Sequence, residues 1–483
     1  MKTKKLLILP ILISLGVMSS CTSSVSSETT SSTTETSSTS TTTTTDETSS
    51  ASSSSHKGGP SGSDNGGPGG NRPGDSSSSD DDSSSSTVTT TTATSLTDTS
   101  GNTIYSGSAS VSYKYGNQST TKTLSAAYLI NGVDVEISSG TYSSASSSSD
   151  QVVFLVINGG SLTITGTSSS YVDITKSGSA ASNGQVGDDY NFYGINSGIV
   201  VAKGSTATIS YANISTTSNG SNAVVATNGG AVTISNSTIT TSGSAGSRGL
   251  HATYSGTITA DNVNITTSGA SCASLATDRG GGTVTASNMT LETNGAGSPL
   301  VYSTGTISVN SSTGTANKSQ MVVVEGGSTA NLDSCNFSCV GNGNRTGTSE
   351  SNSSSHTIDS AGIFIYQSTS GDSSDGTDYF TAKNSTLKVT TSGVPMFYLT
   401  NITAQVTLNG NTFTQASSSD YLFLLEEQNQ WGSVGSNGGK GTVSLTSQSV
   451  SGYKAFVGTS SSSLTITATD SSSTAITKTT GTW

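Results

Sequence analysis

The sequence predicts an all-β fold, a parallel β-helix (solenoid) of roughly 14 coils over residues 99–483. Three observations predict it. Only 10% of the 483 residues are charged, and Ser, Thr, Gly and Asn dominate the chain. Short segments of alternating apolar residues return about every 25 residues after position 125. The segments between them lack the helical pattern that usually links the parallel strands of a βαβ fold.

The first repeated pattern is an alternating apolar segment, then a polar turn, then one more apolar residue. It is clear in residues 232–239, where Ile239 is the final apolar position, and that position returns 26 residues later at Ile265 and again at Leu291. Further copies fit at Val135/Ile137/Tyr142, Leu162/Ile164, Ala330/Leu332/Phe337, Phe380/Ala382/Leu387, Val406/Leu408/Phe413 and Val443/Leu445/Val450. The copy around Ile209 and Ile214 aligns with an offset of one or two residues.

The second repeated pattern is a short apolar run. Copies stand at 153–157, 199–201, 223–226, 249–252, 321–324, 363–366, 396–399 and 422–425. A β-sandwich, with strands every 8–12 residues or so, is the competing fold. The regular spacing of the apolar pattern favours the solenoid, because the pattern returns at the same point of each repeat of about 25 residues. Equivalent residues are therefore predicted to stack, with apolar columns inside and Thr, Ser and Asn columns outside.

Asparagine marks the turn of the first pattern, as turns that need a positive φ often require. These residues, predicted to stack as a ladder, are Asn236, Asn262, Asn288 and Asn384. In architecture, residues 100–483 resemble the right-handed β-helix, or pectin-lyase-like, superfamily. Residues 188–193 and 431–439 also look like parts of bacterial surface β-helix proteins of the adhesin or carbohydrate-binding type. The resemblance implies a right-handed helix and a polysaccharide or surface glycan as partner.

The N-terminus is predicted to be a lipoprotein signal peptide, residues 1–20. Basic Lys2, Lys4 and Lys5 precede an apolar segment, 6–18, that is too short to span a bilayer comfortably. Ser19, Ser20 and Cys21 then resemble a bacterial lipobox, although Met18 stands where that motif prefers Leu. The resemblance implies lipidation of Cys21 and a lipid-anchored location at the bacterial cell surface, outside the cytoplasmic membrane. An ordinary cleaved signal with an incidental Cys is the alternative.

Residues 21–98 are predicted to be a disordered stalk. The segment consists almost entirely of Ser, Thr, Gly, Asp and Asn, so it holds too little apolar surface to offset the entropy of ordering the chain. The expected role is a flexible spacer between the lipid anchor and the β-helix.

The net charge of −12 narrows the range of partners. Binding to duplex nucleic acid depends on basic groups that neutralise phosphates, so no nucleic-acid partner is predicted. The same acidity argues against electrostatic binding to anionic lipid, which leaves the lipid anchor as the predicted membrane attachment.

The resemblance to the pectin-lyase-like superfamily implies catalytic motifs, and most of these motifs are missing from the sequence. In that family the hydrolases carry Asp-Asp, Gly-His-Gly and Arg-Ile-Lys blocks. Residues 99–483 contain one Asp-Asp, Asp188-Asp189, and neither of the other two blocks. We therefore predict a non-enzymatic protein, with a polysaccharide lyase or hydrolase of divergent site as the alternative.

Two segments supply candidate ligand-binding residues. Carboxylates beside aromatic rings suit a sugar or calcium, and one segment offers Asp188, Asp189, Tyr190 and Tyr193. The other offers Glu426, Glu427 and Trp431, with Trp431 as a platform for a sugar ring. Packing against the coils is the alternative for both.

Calcium is the one cofactor considered, at Asp372, Asp375 and Asp378, whose spacing lacks the full EF-hand pattern. A second charged group joins Arg248 and His251 to Asp278 and Arg279 one coil later, as a small site or a surface ion pair. Three cysteines after Cys21 argue against a disulfide framework or a zinc site.

Three function classes stay open: a glycan-binding surface protein, an enzyme, and an ice-binding rod. Thr columns such as Thr257/Thr259 and Thr283/Thr285 suggest ice binding. We expect Asp261, Glu292, Asp333 and Lys383 to interrupt them. Three long insertions, 176–193, 367–379 and 426–441, are predicted to carry the function.

Overall fold

A computed structural model of the chain describes residues 94–181, 187–368 and 370–481. The predicted signal peptide, Cys21 and residues 21–93 of the predicted stalk lie outside the described residues. Within the described residues, no helix has both the length and the apolar character needed to cross a membrane. Leu96, near the start of the described residues, packs in the main apolar core.

The described residues form 36 strands and one short helix. The first strands are β1 Gly107–Tyr115, β2 Gln118–Asn131, β3 Asp134–Ile137, β4 Thr141–Ser143, β5 Gln151–Ile157, β6 Ser161–Thr165 and β7 Val172–Lys176, followed by the helix α1 Asp188–Tyr193. The next are β8 Ile199–Val201, β9 Thr206–Ser210, β10 Ala212–Thr216, β11 Val224–Ala226, β12 Ala231–Thr241, β13 Leu250–Ala252, β14 Gly256–Thr267, β15 Leu275–Thr277, β16 Gly282–Ser287, β17 Thr290–Thr293, β18 Val301–Ser303, β19 Thr306–Asn310 and β20 Thr313–Ala316. The last are β21 Val322–Glu325, β22 Thr329–Asp333, β23 Asn336–Cys339, β24 Thr346–Ser349, β25 Asn352–Thr357, β26 Ile363–Tyr366, β27 Thr377–Lys383, β28 Thr386–Val389, β29 Phe397–Thr400, β30 Ile402–Asn409, β31 Thr412–Thr414, β32 Tyr421–Leu425, β33 Gly439–Thr446, β34 Lys454–Gly458, β35 Ser463–Ala468 and β36 Thr477–Gly481.

These strands build a parallel β-helix, as the sequence predicts. Sheet 1 has 14 strands, in the order β1-β2-β5-β8-β11-β13-β15-β18-β21-β26-β29-β32-β34-β36. All of its neighbouring strands pair in parallel except β1 and β2, which form an antiparallel hairpin. Sheet 2 has 20 strands and contains two parallel ladders, which the long strands β12 and β14 join. Each coil therefore contributes to sheet 1 and to one or both ladders of sheet 2.

Alternation of apolar and polar residues creates the interior. In β14, Ile258 is 1% exposed, whereas its neighbour Thr259 is exposed. Successive side chains of a strand point to opposite faces, so the apolar set of each coil faces inward and stacks on the next coil. Ile239 pairs with Ile265, and Ile265 with Leu291. The offset expected around Ile209 is wrong, because Ile209 pairs with Ile234 in the regular register.

The predicted asparagine turns adopt the expected backbone. Asn236, Asn262, Asn288 and Asn384 all have positive φ, between 47° and 56°. The ladder of side chains is only partial. The Asn262 amide donates to the Asn236 oxygen at 2.8 Å, but that of Asn288 donates to Asp261 at 2.7 Å.

One coil, formed by β19 and β20, escapes the sequence pattern. Gly314 occupies the inward position between Leu291 and Phe337. A Cβ at Gly314 would lie 2.6 Å from the Leu300 side chain and 3.2 Å from that of Phe337. Larger neighbours thus fill the space that an apolar side chain occupies in other coils, and this copy lacks only the final apolar residue of the pattern.

The outer face of sheet 1 is apolar as well. Its outward column is Leu155, Val200, Val225, His251, Ala276, Tyr302, Val323, Phe364, Tyr398, Leu424 and Phe456. Over the first coils, this column packs with the β1–β2 hairpin and α1. Over the later coils, it packs with Ile358, Ala361 and Trp431 from segments between strands. Both faces of sheet 1 are therefore buried.

Shortening an inward side chain tests the stacked core. We expect Ile258→Ala to lower the free energy of unfolding by about 2–5 kcal/mol, because it leaves a cavity between coils. The adjacent exposed position is the control, and Thr259→Ala should change stability by no more than about 0.5 kcal/mol. Urea denaturation of both variants measures the difference. If both variants lost the same free energy of unfolding, the assignment of Ile258 to the inward face would be wrong.

Candidate functional site

A cavity of about 180 Å³ lies on the outer face of sheet 1, over its central coils. Its lining residues are Arg248, Ser271, Ala273, Gly297, Pro299, Tyr302, Gln320, Val323, Asn344, Arg345, Asp359, Phe364, Tyr366 and Trp431. Strands β18, β21 and β26 supply the floor. The walls come from the turns that precede β13, β15, β18 and β21, and from segments 341–362 and 426–438. Asn344 and Arg345 are exposed, so solvent reaches the lining.

Aromatic rings form one side of this cavity. The Trp431 ring lies 4.8 Å from the Tyr366 ring and 5.6 Å from the Phe364 ring, measured between centroids. Phe364 stacks on Tyr366 at 4.5 Å with an interplanar angle of 25°. Trp431 lines the cavity but is only 7% exposed, so most of its surface packs against the protein.

A buried ion pair borders the cavity. Arg248 is 7% exposed and Asp278 is 3% exposed, and the guanidinium donates to the carboxylate at 3.1 Å. Burial raises the pKa of Asp278 to about 7, and the neighbouring Arg248 opposes that rise. His251 lies 4.0 Å from the same carboxylate. Burial and Arg248 hold the His251 pKa well below its ordinary value, so this imidazole is neutral at pH 7.

The structure therefore brings together Arg248, His251 and Asp278 of this group, as a buried cluster rather than a surface ion pair. Arg279 points elsewhere. Its guanidinium binds Asp188 of α1 at 3.2 Å and Asp372 of the 367–379 insertion, and it covers the Phe192 ring at 3.9 Å. Arg279 thus joins two insertions over the outer face of sheet 1.

Segment 341–362 is an insertion that the sequence analysis missed. It contains the antiparallel hairpin β24–β25 and the lining residues Asn344, Arg345 and Asp359. The Asp359 carboxylate accepts the backbone N–H of Arg345 at 2.9 Å and that of Asn344 at 3.1 Å. Burial raises the Asp359 pKa. This carboxylate fixes the backbone from which Arg345 extends. The usable signal in the sequence is the 50-residue separation of Phe337 and Leu387, twice the normal period.

A second carboxylate, Glu325, lies behind the tyrosines of the cavity. It is 2% exposed and accepts hydroxyl hydrogen bonds from Tyr302 at 2.6 Å and from Tyr366 at 2.8 Å. Burial raises the pKa of Glu325. The arrangement fixes both phenol rings at the edge of the cavity.

The predicted ligand residues of α1 are engaged in packing and ion pairs. Asp188 pairs with Arg279, and Asp189 pairs with Lys122 of β2 at 2.5 Å. Tyr190 donates to Asp150 at 2.9 Å, and Tyr193 stacks on Tyr254 at 5.7 Å. Tyr190 and Tyr193 are at most 5% exposed. Their contacts agree with the packing alternative, and sugar or calcium binding by this group stays a prediction.

The predicted group at 426–431 divides in two. Trp431 lines the cavity. Glu426 and Glu427 are at most 1% exposed, and each accepts a backbone N–H at 2.7 Å, from Ser351 and Gly435 respectively. These glutamates hold loops on the coils, so their proposed contact with a ligand lacks geometric support.

The predicted calcium residues do not converge. Asp372 pairs with Arg279, Asp375 accepts the Gln367 amide at 3.1 Å, and the buried Asp378 accepts the Ser328 N–H at 2.9 Å. Among the described residues, no group of three or more His, Cys, Asp or Glu side chains could hold a metal ion. Calcium in this loop stays a prediction without support from side-chain geometry. The cysteines Cys272, Cys335 and Cys339 are buried and free.

The four residues expected to interrupt the Thr columns lie beside the columns of Thr257 and Thr259, not within them. Asp261 follows them in the same strand, and Asp333 and Lys383 share its column through the register. Glu292 lies in the other ladder of sheet 2. Glu292 stands in the column of Thr266 and Thr315 and interrupts it, and the column of Asp261 borders that of Thr259 on the same outward face.

Comparisons of the chain with protein-family models, curated proteins and solved structures find no match.

Removal of Arg279 tests how the insertions are held. In Arg279→Met we expect local opening of residues 188–193 and 370–375 to become easier by about 1 kcal/mol, because two ion pairs and a cation–π contact are lost. Hydrogen–deuterium exchange of these segments measures the effect. Lys383→Met is the control, since it breaks an exposed pair with Asp333 outside the insertions. If hydrogen–deuterium exchange of both segments were unchanged in Arg279→Met, Arg279 would not hold the insertions in place.

Burial raises the pKa of Asp378 to about 8, so this side chain links stability to pH. The folded protein keeps a proton that the unfolded chain releases near pH 4, and this contribution is lost as pH rises from about 4 to about 8. Asp378→Asn should therefore flatten the fall in unfolding free energy over this range, measured by urea denaturation. The exposed Asp375→Asn is the matched control. An identical pH profile for Asp378→Asn and the parent chain would refute the assignment.

Proposed function

We propose that this protein is a non-enzymatic, glycan-binding surface protein that holds one sugar unit in the cavity of Arg248, Tyr302, Tyr366 and Trp431. The observation that carries the proposal is the combination of an aromatic wall with convergent polar side chains in one solvent-accessible cavity. Sugar rings offer apolar faces that pack on aromatic rings, and hydroxyls that need hydrogen-bond partners.

The polar lining suits hydroxyl groups. Gln320 is 4% exposed, and its amide is held by a bond to the Asp359 carbonyl at 2.6 Å. Tyr302 and Tyr366 are oriented by Glu325, and the exposed Asn344 adds an amide. Fixed donors and acceptors lose little entropy on binding, which favours a specific ligand.

The size of the cavity favours one sugar unit over a polymer chain. A volume of about 180 Å³ is below the roughly 300–1,000 Å³ typical of pockets for drug-sized ligands. A terminal or branching sugar would fit this space, with the rest of the glycan in solvent.

The N-terminal sequence supports display at a cell surface. Cleavage before Cys21 and its lipidation would anchor the chain, and the Ser/Thr-rich residues 22–93 would serve as a spacer. In this proposal the protein is an adhesin or a glycan receptor of a bacterial envelope.

A polysaccharide hydrolase or lyase is the second candidate. Asp359 lines the cavity and has a raised pKa, a property that general acids share. Release of reducing or unsaturated ends from polysaccharides, abolished in Asp359→Asn, would establish it. No release from a broad panel would favour the binding protein.

Replacement of the cavity tryptophan tests glycan binding. We expect the full chain to bind a subset of a glycan array, and Trp431→Ala to weaken that binding by about 10-fold or more, because aromatic contacts and shape are lost. Trp431→Phe should restore part of the affinity and guards against misfolding of the loop.

The control is Tyr379→Ala, which removes an aromatic side chain that is 45% exposed and not part of the cavity lining. It should leave binding unchanged. If Trp431→Ala and the parent chain bound glycan equally well, the cavity would not be the binding site. If no glycan on the array were bound, glycan binding itself would be refuted.

A further inference from the structure

We infer that the ligand of this cavity is a sugar with an anionic substituent, a carboxylate or a sulfate ester, which Arg248 and Arg345 bind. The inference rests on the proposed function and names the chemistry of its ligand. Two guanidinium groups line a cavity for which Asp359 is the one acidic side chain in the lining.

Arg248 is a buried cation with capacity to bind. The hydrogen bonds of its guanidinium among the described residues go to Asn191 at 2.9 Å and to Asp278 at 3.1 Å. A guanidinium has five N–H donors in a planar fork, so further donors remain for a ligand at the cavity. A carboxylate or sulfate offers several acceptor oxygens, and hydrogen bonds between ionised partners are about twice as strong as neutral ones.

Arg345 supplies the second cation, from segment 341–362. It extends from the backbone that Asp359 fixes, and its side chain is exposed. An exposed guanidinium retains its hydration and mobility, so its contribution to affinity is smaller than that of Arg248. It would attract the anion at the mouth of the cavity and complete its neutralisation.

The carboxylates near the cavity do not prevent anion binding. Asp359 accepts two backbone N–H groups, and Glu325 accepts two tyrosine hydroxyls, so both acids are engaged within the protein. Asp278 and Asn191 each accept one hydrogen bond from the Arg248 guanidinium, so its other N–H donors stay available to a ligand anion.

The test compares sugars that differ only in one substituent. The full chain is titrated by calorimetry with methyl glucuronide, with the methyl ester of that glucuronide, with methyl glucoside and with methyl glucoside 6-sulfate. We expect the ester and the glucoside to bind about 10-fold or more weakly than an anionic sugar. The glucuronide and the 6-sulfate distinguish a carboxylate from a sulfate as the preferred anion.

Two variants locate the anion. Arg345→Gln should weaken binding of the anionic sugar about 2–5-fold and leave methyl glucoside unchanged. Arg248→Lys should weaken it more, by about 10-fold or above, because a lysine cannot reproduce the planar fork. The control is Lys388→Gln, an exposed cation outside the cavity lining, which should change nothing. Arg345→Gln tests the inference even if Arg248→Lys impairs folding.

The possible outcomes distinguish the inference of an anionic ligand from the proposed glycan binding. If neutral and anionic sugars bind with equal affinity, and Trp431→Ala weakens both, the inference is overturned and glycan binding stands. If none of these four sugars binds, the inference is overturned, and the glycan array decides whether glycan binding stands. Preferential binding of the anionic sugars that Arg345→Gln reduces supports the inference.

Discussion

The burial of both faces of sheet 1 is the constraint on which the rest of the structure depends. A sheet with one apolar face can leave the other in water, but here the outward residues include Val200, Phe364 and Tyr398. Exposing such a column would cost hydrophobic free energy along the whole rod. The chain covers it with the β1–β2 hairpin, α1 and the segments around Ile358 and Trp431. The candidate cavity lies where this cover is incomplete.

The regular coils could be predicted because their physics is local. Val232, Ile234 and Ile239 alternate with polar residues, and their neighbours repeat the pattern at nearly constant spacing. Gly314 shows where this logic ends. Its coil lacks the final apolar residue of the pattern, and Leu300 and Phe337 fill the missing volume from adjacent positions. A sequence pattern shows the type of each residue. It does not show which neighbours in space fill a volume that a small residue leaves empty.

The candidate site was predictable only in part. Trp431 and the Arg248 group stand out because aromatic and charged residues are rare in this chain. Asn344 and Arg345 lie in a polar segment that resembles the loops around it, and only the cavity distinguishes them. Glu426 and Glu427 stand out equally in sequence, yet backbone donors satisfy their carboxylates. Composition cannot separate a charge that binds a ligand from one that anchors a loop.

The coils keep their register across the insertion at 341–362. Phe337 pairs with Leu387 as regularly as Ile239 pairs with Ile265, although the first pair is separated by 50 residues and the second by 26. The chain can leave the rod at a turn, build a wall of the cavity and return to the next rung. Wall segments can therefore change in length and composition while the rungs on either side stay paired. Such an architecture lets ligand preference evolve, or be exchanged by design, with little consequence for the scaffold.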